Sequence, residues 1–198
     1  HLSEIPKVWE GGLASHGGAV AILIALFIYS KKVSKQSMFW ILDRIVAPIA
    51  IAGCFIRLGN LVNHEIIGVP TNLPWGFKFW NESADNLVLV NGEFEHVFRH
   101  PAQLYEAIAY FIIFIVLFRL FWKTNLKLKQ GFIFGVFLVI LWGARFAIEF
   151  VKIGQAARDE GMVLNTGQWL SVPFIIAGFV IISLANKGKL GGRSQSAA

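Results

Sequence analysis

Five stretches of the chain are apolar for long enough, or nearly so, to cross a bilayer: residues 12–30, 37–56, 103–122, 131–151 and 168–185. A crossing helix needs about 20 mostly apolar residues. None of the five shows the period-2 alternation of a membrane barrel strand, so the pattern predicts an all-α polytopic membrane protein of about five helices. The second run is the weakest, because Asp43, Arg44 and Pro48 interrupt it. Residues 57–102 form the longest polar connection. Within it, "LVLVNGEFEHVF" sets Asn91-Gly92 between two short strand-like runs, which predicts a small hairpin on the outer surface.

Basic residues give the direction. Lys31, Lys32 and Lys35 follow the first run, Lys123, Lys127 and Lys129 the third, and Lys187, Lys189 and Arg193 the last. These segments, including the C-terminus, are expected to be cytoplasmic. The opposite segments hold Glu4, Glu10, Glu65, Glu82, Asp85, Glu93, Glu95, Asp159 and Glu160, and the N-terminus is expected outside. Composition agrees with a membrane protein. Of 198 residues, 56% are hydrophobic and 15% charged, against roughly 45–50% and about 25% in soluble domains. The net charge of +6 belongs to the inner membrane face and implies no nucleic acid. A single cysteine, Cys54, leaves no internal disulfide and no multi-thiolate metal site. His64, His96 and His100 lack a paired ligand spacing, so neither metal nor cofactor is expected. The chain starts at His1 without an initiator methionine or signal-peptide pattern, which reads as a fragment or a processed product. Residues 1–186 read as one transmembrane domain with 57–102 as its outer head, and 187–198 as a disordered cytoplasmic tail.

With that orientation, polar residues collect at one level. "RLGNLVNHEIIGVPT" (57–71) places Arg57, Asn60, Asn63, Glu65 and Gly68 where the second run leaves the bilayer on the outer side. His16, followed by Gly17 and Gly18, lies near the outer end of the first run. "RHPAQLYEA" (99–107) brings in Gln103, Tyr105 and Glu106, the last about one turn deep. "GARFAIEFVK" (143–152) ends the fourth run with Arg145 and Glu149 at i,i+4 on one face. "NTGQ" (165–168) sets Gln168 before the fifth. Each has a structural reading: Arg57 as a snorkelling anchor, Arg145 with Glu149 as an ion pair, Gly131 and Gly135 as helix-packing positions. Asp43-Arg44, in the cytoplasmic half, reads as structural. Five segments reaching one depth favour function, because intramembrane ionisable residues are costly and usually functional. Two guanidinium groups and several amides at headgroup depth suit a phosphate. A transporter would hold its site nearer the midplane within repeated halves; here the cluster is off-centre and no repeat is visible. A non-catalytic lipid-binding protein remains compatible with these residues alone.

The segments "EGGLASHGG" (10–18), 57–71, 99–107, 143–152 and "TGQWLS" (166–171), in this order and spacing, resemble the bacterial prolipoprotein diacylglyceryl transferases over residues 5–185. That family's signature reads Gly-Arg-x-Gly-Asn-Phe-x-Asn-x-Glu-x-x-Gly; Ile56 and Leu61 depart from it at apolar positions. The resemblance implies a seven-span fold whose N-terminal pair, with an important tyrosine, lies outside this chain. It implies an enzyme of the bacterial cytoplasmic (inner) membrane without a cofactor, working on the outer, periplasmic side. The implied reaction moves the diacylglyceryl group of phosphatidylglycerol onto the lipobox cysteine of a prolipoprotein, the first step of lipoprotein maturation. A thioether forms and glycerol phosphate leaves. By motif, the family's functional residues fall on His16, Arg57, Asn60, Asn63, Glu65, Gly68, Arg145 and Glu149. Arg57 and Arg145 are expected to bind and stabilise phosphate, and His16 to serve as base. Glu65 and Glu149 are expected to orient the two arginines, with Asn60 and Asn63 as neutral donors. Gly17, Gly18, Gln103, Tyr105, Glu106 and Gln168 are expected in support.

Overall fold

Away from water, a chain must satisfy its own N–H and C=O groups, and continuous apolar runs therefore become helices. The computed structural model describes residues 15–80, 87–90, 92–153 and 164–190. The first run forms α1 (Ser15–Tyr29), continued by a π-helical turn over Ser30–Ser34. The second forms α2 (Met38–Val62), started by the Ser37 hydroxyl, which accepts from the Trp40 N–H at 3.2 Å. Then come α3 (Ala102–Lys123), α4 (Phe132–Ile148) with a 3-10 turn over Glu149–Val151, and α5 (Thr166–Asn186). Among the described residues, four helical segments are long and apolar enough to cross a membrane: α2, α3, α4 with its 3-10 extension, and α5. This is a multi-pass membrane protein. Of the first expected span, 12–30, the described part forms α1 and runs on into the π-helical turn, and residues 12–14 lie outside the described ones.

The helices pack in sequence order, α2 against α3, α3 against α4 and α4 against α5, with α2 also touching α4. Val46, Ala50 and Cys54 of α2 recur at i,i+4 and bury one stripe against Ala107, Tyr110, Ile113 and Leu117 of α3 and Ile133, Phe137 and Leu138 of α4. Cys54 is a buried core residue, as its apolar surroundings suggested. Asp43 reaches across to α4 and accepts from the Gly131 N–H at 2.7 Å and the Phe134 N–H at 2.8 Å. A carboxylate thus caps α4 from another helix, where donors without intrahelical partners and the positive dipole end meet. Gly131 is the left-handed N-cap residue of α4 (φ +88°), whereas Gly135 serves helix packing: a Cβ there would lie 2.9 Å from the Gly178 carbonyl of α5.

Outside the helices, β1 (Phe77–Lys78) pairs antiparallel with β4 (Phe98–Arg99), and β2 (Leu87–Val90) with β3 (Glu93–His96). The register pairs Val90 with Glu93, the two-residue hairpin expected around Asn91-Gly92; Gly92 has φ +90°, and Asn91 lies outside the described residues. Two boundaries differ from expectation. Helix α2 runs six residues past Ile56, so Arg57 and Asn60 stand on a helix face rather than in the head. Residues 187–190 continue α5 as a hydrogen-bonded turn, Gly188 N–H to Ala185 O at 3.0 Å and Lys189 N–H to Leu184 O at 3.0 Å; residues 191–198 of the expected tail lie outside the described ones.

Candidate active site

Three helix ends meet at one level of the bundle. Arg57 stands five residues before the end of α2, Glu106 four residues into α3, and Arg145 three residues before the end of α4. Each therefore lies within about 8 Å of its helix end along the axis. Glu106 is the centre of the arrangement and is fully buried. Its Oε2 stands 3.0 Å from Arg57 Nε, and its Oε1 stands 3.7 Å from both Arg145 Nη1 and Lys152 Nζ. Lys152 Nζ also reaches Glu149 Oε2 at 3.3 Å. Within this cluster three cations face two carboxylates, which leaves one formal positive charge. Side-chain exposure separates the members: 26% for Arg145 and 15% for Arg57, against 4% for Lys152 and 1% for Glu106. The arginines are the groups a ligand can reach, and Glu106 with Lys152 forms the floor that holds them.

Neighbouring polar groups extend the network. Arg145 Nη1 donates to the Tyr110 hydroxyl at 3.0 Å. Arg57 Nη1 donates to Asn60 Oδ1 at 3.4 Å, and Asn60 Nδ2 donates to Glu65 Oε2 at 2.9 Å. Gln103, one turn before Glu106, donates to the Glu65 carbonyl oxygen. The chain reverses after α2 through His64 (φ +56°) and Ile66 (φ +58°), left-handed conformations that a β-branched residue rarely adopts and that store strain. It then threads between two other segments. Gly68 N–H donates to His100 O and Val69 N–H to Val151 O, each at 3.0 Å. A Cβ on Gly68 would stand 2.4 Å from His100 O and 2.7 Å from Val151 O, so only glycine fits. This thread pairs Gly68 with Lys152 as a β-bridge, which delivers the lysine to the cluster.

The expected orienting pairs are rearranged. Glu65 does not pair with Arg57; it holds Asn60, which holds Arg57. Glu149 pairs with Lys152 rather than Arg145. The reason is local: the helix tightens to a 3-10 turn after Glu149, with Lys152 N–H bonded to Glu149 O at 3.3 Å, and residues three apart eclipse in that geometry, which sets Lys152 over the Glu149 carboxylate. Its carboxylate lies against Gly167 of α5, where an added Cβ would be 2.6 Å from Oε1. Helix α5 starts with a capping box between Asn165 and Gln168, and Asn165 Nδ2 donates to the Glu149 carbonyl at 3.4 Å. Gln168 is therefore a buried helix cap behind Glu149.

Other expected positions lie at the edge. Asn63 is the exposed C-cap of α2. The Tyr105 hydroxyl accepts from Trp75 Nε1 at 2.9 Å and lies 3.2 Å from His100 Nδ1. Gly18 lies exposed on α1 with open space around it. His16 and Gly17 belong to the first turn of α1, but their side-chain placement lies outside the described residues. Sequence reasoning missed Lys152 and Tyr110. Both carried a signal: 145, 149 and 152 follow i, i+4, i+7, and 106 and 110 follow i, i+4, each set on one face. Arg99, also missed, is buried and donates from Nη1 to Gly68 O at 3.3 Å.

A cluster of this sign, near the ends of three spanning helices and with two partly exposed guanidinium groups, is suited to an anion. Comparison with known proteins points the same way. The family model for prolipoprotein diacylglyceryl transferase matches residues 1–184. A phosphatidylglycerol–prolipoprotein diacylglyceryl transferase of Tolumonas auensis is 46% identical over 189 residues, covering 96% of this chain and 68% of its own length. Similar proteins of the same name from Chloroherpeton thalassium and Porphyromonas gingivalis are 44% and 43% identical, over 92% and 95% of this chain and 63% and 67% of their own lengths. The chain thus spans about two thirds of these relatives. No solved structure matches it.

Proposed function

Since the chain belongs to the prolipoprotein diacylglyceryl transferase family, we propose that it transfers the diacylglyceryl group of phosphatidylglycerol to the lipobox cysteine of a prolipoprotein. The observation that carries this reading is the convergence of Arg57 and Arg145, from separate helices, on the buried Glu106 carboxylate. The cluster keeps one positive charge uncompensated, and a phosphodiester headgroup carries one negative charge. The lipid would enter with its acyl chains in the bilayer and its phosphate between the two guanidinium groups, which offer paired donors to phosphate oxygens.

In the reaction the cysteine sulfur attacks the glycerol carbon that bears the phosphate ester oxygen. A carbon–sulfur bond forms, the carbon–oxygen bond breaks, and that oxygen leaves with the electron pair as part of glycerol phosphate. Negative charge moves from sulfur to phosphate as the bonds change. Fixed arginines beside the phosphate stabilise that charge more in the transition state than in the ground state. A thiol with an ordinary pKa near 8.5 also needs its proton removed; His16, matched by motif, is the residue we assign to that task. Asn60 keeps Arg57 in place, and Glu106, Lys152 and Tyr110 do the same for Arg145 and the cluster floor. We place the protein in the bacterial inner membrane, with this site at the periplasmic side and the C-terminus in the cytoplasm, in accord with the lysine distribution. Nothing in the fold or among the relatives favours a transporter.

The test is incubation of the reconstituted chain with phosphatidylglycerol and a lipobox peptide, followed by mass measurement. The expected result is a diacylglyceryl unit on the peptide cysteine and free glycerol phosphate. An unmodified peptide beside folded, membrane-inserted protein would overturn the proposal.

A further inference from the structure

Residues directly opposite each other in an antiparallel pair share one face. In the β2–β3 hairpin Leu87 opposes His96, Leu89 opposes Phe94 and Val88 opposes Glu95. One face therefore carries Leu87, Leu89, Phe94 and His96, while Glu93 and Glu95 stand on the other beside the half-buried Val88. Leu89 is 61% exposed and Phe94 71%. Trp80, 64% exposed, packs against His96 with ring centroids 4.9 Å apart and the planes tilted by 48°, and widens the apolar face. Such a patch outside the spanning helices marks a contact surface.

Two ties fix where this face lies. The Trp80 N–H donates to His64 Nδ1 at 3.2 Å, and the Phe79 ring meets the His64 ring edge-on at 5.6 Å. His64 is two residues beyond Val62, where α2 ends. At its other end the hairpin runs through Val97 and β4 into Pro101, immediately before α3. The apolar face is thus continuous with the level at which two spanning helices leave the bilayer, the level where exposed tryptophan is favoured. Both hairpin carboxylates lie on the opposite face, so a negatively charged lipid surface meets no like charge there.

We propose that the Leu89–Phe94 face of the hairpin, with Trp80, is a lipid-interface anchor that rests in the leaflet at the site end of the bundle, Glu93 and Glu95 turned to water. The anchor steadies β4, whose Arg99 holds the Gly68 carbonyl, and through it the thread that carries Lys152. The inference rests on the membrane placement of the helices and not on the transfer reaction.

The test labels Phe94→Cys and, separately, Glu93→Cys with an environment-sensitive fluorophore in the full chain, reconstituted in phosphatidylglycerol–phosphatidylcholine vesicles. Cys54 is buried, and dye-treated unsubstituted protein gives the background. Position 94 should emit to the blue of position 93 and be quenched several-fold more by a nitroxide lipid labelled near the headgroup. Position 93 should be quenched more by aqueous iodide. Leu89→Cys should repeat the behaviour of position 94 and stands in if that variant fails to insert. Equal iodide access at both faces overturns the proposal. So does shielding of position 94 that arises only on adding a lipobox peptide, or only at raised protein density, since those outcomes assign the face to a polypeptide or to a second copy.

Discussion

Replacing Glu106 by Gln removes one charge from the centre of the cluster and almost no volume. The wild-type carboxylate, 1% exposed, stands 3.0 Å from Arg57 and 3.7 Å from Arg145 and Lys152. In the variant those three cations retain Glu149 as the one ion-pair carboxylate of the cluster, and its ion pair is with Lys152. Removing one partner of a buried pair costs about 3–5 kcal/mol, because the other charge is left uncompensated. The two arginines are partly exposed and water takes up some of that charge, so the lower end, about 3 kcal/mol, is expected. Cys54, 7% exposed in the core, supplies the assay: a thiol-reactive dye labels it as the bundle opens on heating in detergent. The midpoint should fall by on the order of 10 °C. Phosphatidylglycerol should restore part of that loss, since its phosphate compensates the released cations, and phosphatidylcholine should restore less. Transfer should fall roughly 10²-fold in kcat/KM, the scale of a 1 Å misplacement of reacting groups. A midpoint change below about 2 °C, worth under 1 kcal/mol, together with normal transfer, would refute the claim that Glu106 holds the arginines.

Arg57→Lys and Arg145→Lys keep the charge but lose the planar pair of donors, so each should lower transfer roughly 10-fold or more while membrane insertion stays normal; equal rates by the peptide mass assay would remove the guanidinium argument. Gly167→Ala places a methyl 2.6 Å from the Glu149 carboxylate and should destabilise by about 1–3 kcal/mol, whereas Gly18→Ala, in open space on a helix, should leave the unfolding midpoint no lower. Asp43→Ala strips α4 of its cap and should cost about 0.5–2 kcal/mol in the same thermal scan, with the KM for phosphatidylglycerol unaltered, because the cap lies at the far end of the helix. Cys54→Ala, followed by tryptophan emission on heating, should retain full transfer; a folded but inactive variant would require a covalent role for this buried thiol.

The helices and the hairpin were legible because each depends on local pattern. The apolar runs and the two-residue turn at Asn91-Gly92 needed no distant information. The convergence of Arg57 and Arg145 was legible too, from depth along each helix once the lysines gave an orientation. Partner choice was not. Glu106 sits between arginines 49 residues before it and 39 after it, and no spacing rule spans such gaps. Arg145 and Glu149 have the spacing of an ion pair, yet the 3-10 turn that follows Glu149 brings Lys152 over its carboxylate. Asp43 read as a structural charge in a weak span, but its task, capping a helix that starts 89 residues later, depends on how α2 and α4 pack. Lys152 read as one more basic residue beside a span, although its place seven after Arg145 put it on the same face.

Asp43 and the arginine cluster join α2 to α4 at two heights, fourteen residues apart on α2, a separation of about 21 Å. A door hung on two hinges can swing but cannot slide. Helix α4, with α5 pressed close against it at Gly135 and Gly178, is held in vertical register with α2 in the same way. Any widening of the bundle to admit a bulky tail must then be a rotation about that line, and it will be felt first at Arg145, the most exposed member of the upper hinge.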